Sequence, residues 1–253
     1  MEIGEIYTIW LREIKRFLRA KPRIIGSIMM PFIWLAIMGV GLNASFTIPG
    51  AKGNYLNFIS PGIIGMTLLF SSIFSAISVI WEKQFGFLKE MLVAPISRTS
   101  IVLGKVVGSA TISTFNALIV VIIAIILGGI HLSSLNAVSA FSSLLFMILI
   151  SSTFVSVGLI MVSRLNNLEG FQVIMSTLVM PLFFLSGAFF PLQNAPLWMR
   201  ILSHGDPLMY GVDGLRASLI GTSQFSILVD IAVLVGFSVV MVTLAGFMFR
   251  RIQ

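Results

Sequence analysis

Between residues 106 and 163 the chain carries no Asp, Glu, Lys or Arg. A run of that length cannot offer a charged face to water, so it must be surrounded by other protein or by lipid. Stretches 24–51, 170–199 and 231–249 lack these residues too. The whole chain is 57% hydrophobic and 10% charged, where a soluble domain has about 25% charged residues. A hydrocarbon layer about 30 Å thick is crossed by roughly 20 apolar residues in a helix. Inside it the backbone must satisfy its own hydrogen bonds, which leaves helices or closed barrels. A barrel would show alternating segments of about ten residues, and the sequence has none. The expected fold class is an all-α integral membrane protein.

Six spans are placed at 24–42, 60–80, 106–127, 138–162, 171–190 and 225–249, within one transmembrane domain covering 1–253. Pro31 and Pro181 fall inside the first and fifth spans and predict kinks. Ser60-Pro61 reads as a helix cap followed by proline at the first helical position. Residues 1–22 read as an amphipathic interface helix rather than a signal peptide. There Ile3, Ile6, Tyr7, Trp10, Ile14, Phe17 and Leu18 recur at helical spacing, with Glu5, Arg12, Lys15, Arg16 and Arg19 mainly between them. Its cations suit lipid phosphates, so membrane lipids are an expected partner.

The net charge of +7 is distributed by side rather than along a surface for nucleic acid. With the N-terminus inside, the inner side holds Arg12, Lys15, Arg16, Arg19, Lys21, Arg23, Lys83, Lys89, Arg98, Lys105, Arg164, Arg250 and Arg251. The outer side holds only Lys52, Arg200 and Arg216. That bias predicts a multi-pass protein of the cytoplasmic membrane with both termini inside, and a prokaryotic source is expected.

Two connections exceed simple turns, 81–104 on the inner side and 191–224 on the outer. The outer one keeps Leu197, Trp198, Ile201, Leu202, Leu208, Met209 and Leu215, which predicts short helices that dip back or pack on the outer mouth. In the inner one, Phe85, Leu88 and Leu92 share a helical face flanked by charge. Such a stripe suits insertion into a cleft on a cytosolic partner, and it equally suits packing beneath the bundle.

Glu82, Gly86, Leu92, Pro95, Ser97, Arg98, Gly104 and Lys105 resemble the inner loop of ABC-2 type permeases, the membrane subunits of ATP-driven exporters. Phe184-Leu185-Ser186-Gly187-Ala188-Phe189-Phe190-Pro191 resembles the signature at the end of that family's fifth span. Pro196, Trp198, Pro207, Tyr210, Asp213 and Arg216 fall where its outer re-entrant segment has like residues. The sequence departs from the pattern at Phe87, where a small polar residue is common, and at Asp206, where asparagine is common.

The resemblance implies a half-transporter that binds no cofactor itself. Two copies, or this chain with a close relative, would form the path. Two cytosolic ATP-binding subunits, holding ATP and Mg, would drive it. It makes Glu82, Phe85, Gly86, Leu88, Lys89, Glu90, Leu92 and Pro95 the coupling segment. Phe189, Pro191, Trp198, Pro207, Tyr210, Asp213 and Arg216 become an outer gate. A path built mainly from spans two and five would offer Met66, Phe70, Ser71, Phe74, Ser75, Met180, Phe183 and Phe184, large adaptable side chains suited to amphipathic cargo.

The residues alone are consistent with an ATPase elsewhere. A phosphate-cradling loop needs G-x-x-x-x-G-K-[ST]. The lone Gly-Lys pair, Gly104-Lys105, is followed by Val106. There is no cysteine and no metal-ligand spacing of histidines and carboxylates. Thr67, Ser71, Ser75, Ser78 and Glu82 form a stripe on span two, with Ser109, Ser113 and Asn116 on span three. These can line a path or merely permit close helix packing. Asp213 and Arg216, three apart, are expected to pair. Asp230, one turn into span six, leaves an ion-coupled transporter or channel as the rival reading. A non-transporting scaffold is the third.

Overall fold

The computed structural model describes residues 3–43, 54–87, 90, 93, 96–132, 135–165 and 167–249, with backbone only at 23, 43 and 194. Among the described residues the secondary structure is helical, without strands. α1 (Ile3–Arg19) meets α2 (Lys21–Ile33) at Ala20, and α2 continues as a π-helical stretch, Trp34–Val40, and a last turn, Gly41–Asn43. α3 (Tyr55–Ser75) and α4 (Ile77–Gln84) form one long rod interrupted at Ala76. α5 (Arg98–Ile126) and α6 (Ala137–Arg164) follow. Next come α7 (Leu168–Ile174), a π-helical stretch at Met175–Val179, and α8 (Met180–Leu185). Two short helices, α9 (Leu197–Ser203) and α10 (Pro207–Ile220), precede α11 (Ile227–Phe249).

Five of these rods are long and apolar enough to cross a membrane: Tyr55–Gln84, Arg98–Ile126, Ala137–Arg164, Leu168–Leu185 and Ile227–Phe249. A sixth is reached if Ile3–Arg19 and Ile24–Val40, bent by 71°, count as one span.

The rods start where side chains satisfy the free N–H groups of a first turn. Ser97 Oγ accepts from Ser100 N at 3.0 Å and opens α5. Asn136 and Ser139 form a reciprocal cap on α6, both bonds 2.8 Å. Ser60 is not a cap. Its hydroxyl donates to Leu56 O at 2.6 Å from within α3, which begins at Tyr55, and Pro61 is carried inside the helix. Burial of the surrounding helix holds this proline in place despite its missing N–H.

α3 runs through the centre of the bundle, with Ile59, Ile63, Ile64, Leu68 and Leu69 fully shielded. It packs against α5, α6 and α10, and α6 in turn carries α11. α1 lies along α5. A Cβ added at Gly104 would stand 2.7 Å from Ile9 Cβ, and one at Gly108 would stand 2.9 Å from Glu13 Cβ, so the two helices meet without room for a side chain there. The face of α1 turned to the protein is Ile9, Glu13 and Phe17. Of the apolar set read from spacing, Ile3, Tyr7 and Leu18 instead point outward. A carboxylate at the middle of the packed face is why the periodicity misassigns it.

Candidate functional site

At the end of the bundle that carries Glu82, Lys83 and Arg164, here termed the basic end, five charged side chains from three elements converge. α1 supplies Arg12, Glu13 and Arg16, α4 supplies Glu82 and α5 supplies Lys105. Lys105 Nζ donates to Glu82 Oε2 at 2.6 Å and to Glu13 Oε1 at 3.4 Å. Arg12 donates to Glu82 Oε1, and also to Glu13 Oε1 at 3.2 Å. Arg16 donates to Glu13 Oε2, and to Glu82 Oε1 at 3.2 Å. Lys105 is 2% exposed, and the carboxylates that surround it offset the cost of burying its ammonium. All four carboxylate oxygens are engaged, so α1 is tied to two other rods by a closed ionic clasp. Lys83 adds a second tie at this end, donating to Val162 O at 2.7 Å and so capping the last turn of α6.

Beyond the clasp the chain turns at Gly86, whose φ of +79° suits a residue without Cβ. Phe85 and Phe87 are exposed there, as are Glu90 and Val93. Trp81 stacks on Phe85 with ring centroids 5.8 Å apart. The coupling positions Leu88, Lys89, Leu92 and Pro95 lie outside the described residues. Glu82 stands apart from this exposed group, since its carboxylate is turned into the clasp.

Directly above the clasp is a cleft of about 780 Å³. Its walls come from α2 (Met30, Pro31), the α3–α4 rod (Met66, Phe70, Phe74, Trp81), α5 (Ile112, Asn116) and α8 (Met180), with Arg16 at its edge. Of the path positions expected from sequence, Met66, Phe70, Ser71, Phe74 and Met180 line it. Ser75 does not; it is buried, and its hydroxyl donates to Ser72 O at 2.6 Å. Phe183 lies behind the wall, edge-on to Phe70 at 5.8 Å. Phe184 stacks on Phe189 at 5.8 Å. The polar stripes of spans two and three meet one another: Ser113 Oγ and Asn116 Nδ2 both donate to Ser71 Oγ at 3.1 Å.

At the opposite end, α10 is set into the bundle. Asp206 caps it, accepting from Leu208 N at 2.9 Å, and Pro207 occupies the first turn. Burial raises the Asp206 carboxyl to about 8, against which the Leu208 N–H works. Asp213 and Arg216 do not pair. Asp213 accepts from Gln224 N and Phe225 N at 2.9 Å, fixing the chain that enters α11. Arg216 donates to Gly187 O at 2.8 Å and lies over the Phe58 ring, 4.0 Å from its centroid. One residue thus ties the loop after α8 to α3, and the three-residue spacing leads to two different partners. Burial pushes Arg216 down to about 10, with Asp213 opposing, and burial raises Asp213. Tyr210 Oη donates to His204 O at 3.0 Å. Phe189 meets Trp34 edge-on at 5.0 Å. Pro191 is half-buried and Pro207 buried, while Trp198 is 61% exposed on α9. Asp230 is fully buried in α11, and neither of its oxygens has a hydrogen-bond partner among the described residues.

Sequence reasoning missed Glu13 and the roles of Arg12 and Arg16. The available signal was a carboxylate flanked four residues on either side by Ile9 and Phe17. A carboxylate in that phase of a helix demands a cation from elsewhere.

A helical bundle with five, or up to six, rods long and apolar enough to cross a membrane among the described residues defines the class as a multi-span membrane protein. A family profile described as ABC-2 type transporter matches residues 4–220, and the chain belongs to that family. It is 31% identical over 216 residues to a protein of Cyanophora paradoxa named as a transport permease, ycf38, covering 85% of this chain and 73% of that one. It is 25% identical over 236 residues to the inner membrane transport permease YadH of Escherichia coli (strain K12), covering 92% and 89%. A third relative, YbhR of the same organism, named as a multidrug ABC transporter permease, is 29% identical over 161 residues, covering 63% and 43%.

Proposed function

We propose that this chain is the membrane half of an ATP-driven exporter, moving an amphipathic, lipid-linked, glycan-like or drug cargo outward across the cytoplasmic membrane of a prokaryotic cell. The family match carries the reading, because it covers the inner connection, most of the outer one and the first five spans. The basic end faces the cytoplasm, in keeping with the charge bias of the sequence. Both termini lie on that side, and the first span is 24–42, with α1 as an interface helix. Two copies, or this chain and a close relative, enclose the path. Two cytosolic ATP-binding subunits hold ATP and Mg.

The exposed group Phe85, Phe87 and Glu90, with Leu88, Lys89, Leu92 and Pro95, docks on the ATP-binding subunit as a lever. Glu82 passes the movement to α1 and α5 through the clasp. Spans two and five shift, the cleft opens outward, and α9–α10 act as a re-entrant gate. The test is affinity purification from native membranes in mild detergent, with ATP turnover assayed on the eluate. A co-eluting ATPase whose turnover is lost in Phe85→Ala with Glu90→Ala supports the reading. A clean elution under cross-linking overturns it.

A second reading rests on Asp230. A buried carboxylate without a partner suits an ion-coupled transporter. It requires cargo flux driven by an ion gradient without ATP and abolished in Asp230→Asn. Flux that survives in Asp230→Asn sinks it.

A further inference from the structure

The clasp holds three cations and two carboxylates, a net charge of +1. Arg16 belongs both to the clasp and to the cleft, and it is the one charged residue lining the cleft among the described residues. Its side chain is 38% exposed and lines the cleft, so a ligand there meets the edge of a cluster with one uncancelled positive charge.

Above Arg16 the walls offer a ligand few hydrogen bonds. The hydroxyls of Ser27, Thr67 and Ser78 donate to carbonyls of their own helices, Ile24, Ile63 and Ser75, each at 2.8 Å. Ser71 accepts from Ser113 and Asn116. The exceptions are Asn116 Oδ1, an acceptor with no donor among the described residues, and Ser71, which accepts both of those bonds and keeps its own O–H to donate. A sugar or polyol, with many hydroxyls, would lose most of its water there without replacement. A hydrocarbon tail would lose nothing, and the volume falls within the range of small-ligand sites, about 300–1,000 Å³. The charge at the edge asks for one negative group, and the walls ask for an apolar tail.

We propose that the cleft binds a monoanionic phosphate amphiphile, its phosphate on Arg16 and its tail between α2 and the α3–α8 wall. This rests on the exporter reading only for what the ligand is for, since a resident membrane lipid and a lipid-linked cargo share this chemistry.

The test uses the full chain in detergent micelles. Native mass spectrometry measures the binding of lysophosphatidylglycerol, which carries one negative charge, and of lysophosphatidylcholine with the same tail, which is zwitterionic. The anionic lipid should bind about fivefold tighter, the effect of one cation near a lipid surface. Arg16→Gln should remove the preference and Arg16→Lys retain it. Gly26→Leu should weaken both lipids alike, because Gly26 lines the cleft and an added Cβ meets nothing within 4 Å. That variant leaves the clasp intact, so it decides the location even if Arg16→Gln fails to fold.

Equal binding of the two lipids by the unaltered chain overturns the proposal. So does an unchanged preference in Arg16→Gln, or unchanged binding in Gly26→Leu. In the assembled complex, stimulation of ATP turnover by the anionic lipid marks a cargo, and binding without stimulation marks a resident lipid. Absence of any ATPase partner would sink the exporter reading alone and leave the binding result standing.

Discussion

Lys105 and Glu82 meet at 2.6 Å where both side chains are almost wholly shielded, and the pair joins the start of α5 to the end of α4. Removing either charge takes a close partner from the other: Lys105 would keep only Glu13, at 3.4 Å, and Glu82 only the part-exposed Arg12 and Arg16. Glu82→Gln is expected to destabilise the folded chain by about 3–5 kcal/mol, as for other broken buried pairs. Combining it with Lys105→Met should cost less than the two single changes added. Thermal unfolding in detergent, read as a double-mutant cycle, checks this. Additive losses would show that the contact carries no coupling.

The contact of α1 with α5 can be tested by cross-linking, because the chain has no cysteine. In Ile9→Cys with Gly104→Cys the two Cβ atoms start 2.7 Å apart. They need separate by only about 1 Å to reach disulfide geometry. Mild oxidation should therefore link them in most molecules, seen as protection from alkylation. Placing the second cysteine at Val107, which is exposed on α5, should give little product.

Asp206 gives a pH dependence of known sign. Its carboxyl has a folded value of about 8, against an unfolded value of about 3.9. Between these the folded chain binds more protons than the unfolded one, so this residue's contribution to stability falls as pH rises from about 4 to 8. Asp206→Asn keeps an acceptor for the Leu208 N–H and cannot ionise. The variant should gain on the unaltered chain as pH rises through that window and match it most closely at the acid end. Unfolding midpoints at several pH values decide it, and a gap independent of pH would exclude the mechanism.

Arg216 binds Gly187 O and covers Phe58. Arg216→Ala should lose about 2–3 kcal/mol, the scale of a hydrogen bond to a charged group in a buried site. Arg216→Lys should recover only part of that, because an ammonium lacks the planar fork. Equal stability of the lysine variant and the unaltered chain would show that charge alone matters here.

Apolar periodicity made the rods legible, because a charge-free run has few places to go. The starts of α3 and α5 were harder to read. Lys105 and Arg98 look like the end of a solvated loop, yet α5 begins at Arg98 and Lys105 is interior to it. What cancels Lys105 is Glu82 at 2.6 Å with Glu13 at 3.4 Å, both distant in sequence, and that pairing has no local signature. The same holds for Asp213 and Arg216. Their spacing suggests mutual contact, whereas the free N–H groups at Gln224 and Phe225 and the carbonyl of Gly187 were unmet needs that sequence does not display. The cleft was legible in part. Met66, Phe70, Ser71, Phe74 and Met180 share it, but the contribution of α2 came from a span read only as a kinked crossing.

Pro31 and Pro181 each stand beside a π-helical stretch, Trp34–Val40 and Met175–Val179, and both host helices border the cleft. A π turn holds one residue more than an α turn without re-aiming the helix beyond it. Length is therefore negotiable at these two places. Deleting one residue within Trp34–Val40 should convert the stretch to plain α-helix with Pro31 and Leu42 still on their present faces. The same deletion in the middle of α3 would rotate everything after it by about 100° and pull Glu82 out of its clasp. Insertions and deletions tolerated by a folded, membrane-inserted chain should thus gather at the two proline-bearing walls and be absent from the central rod.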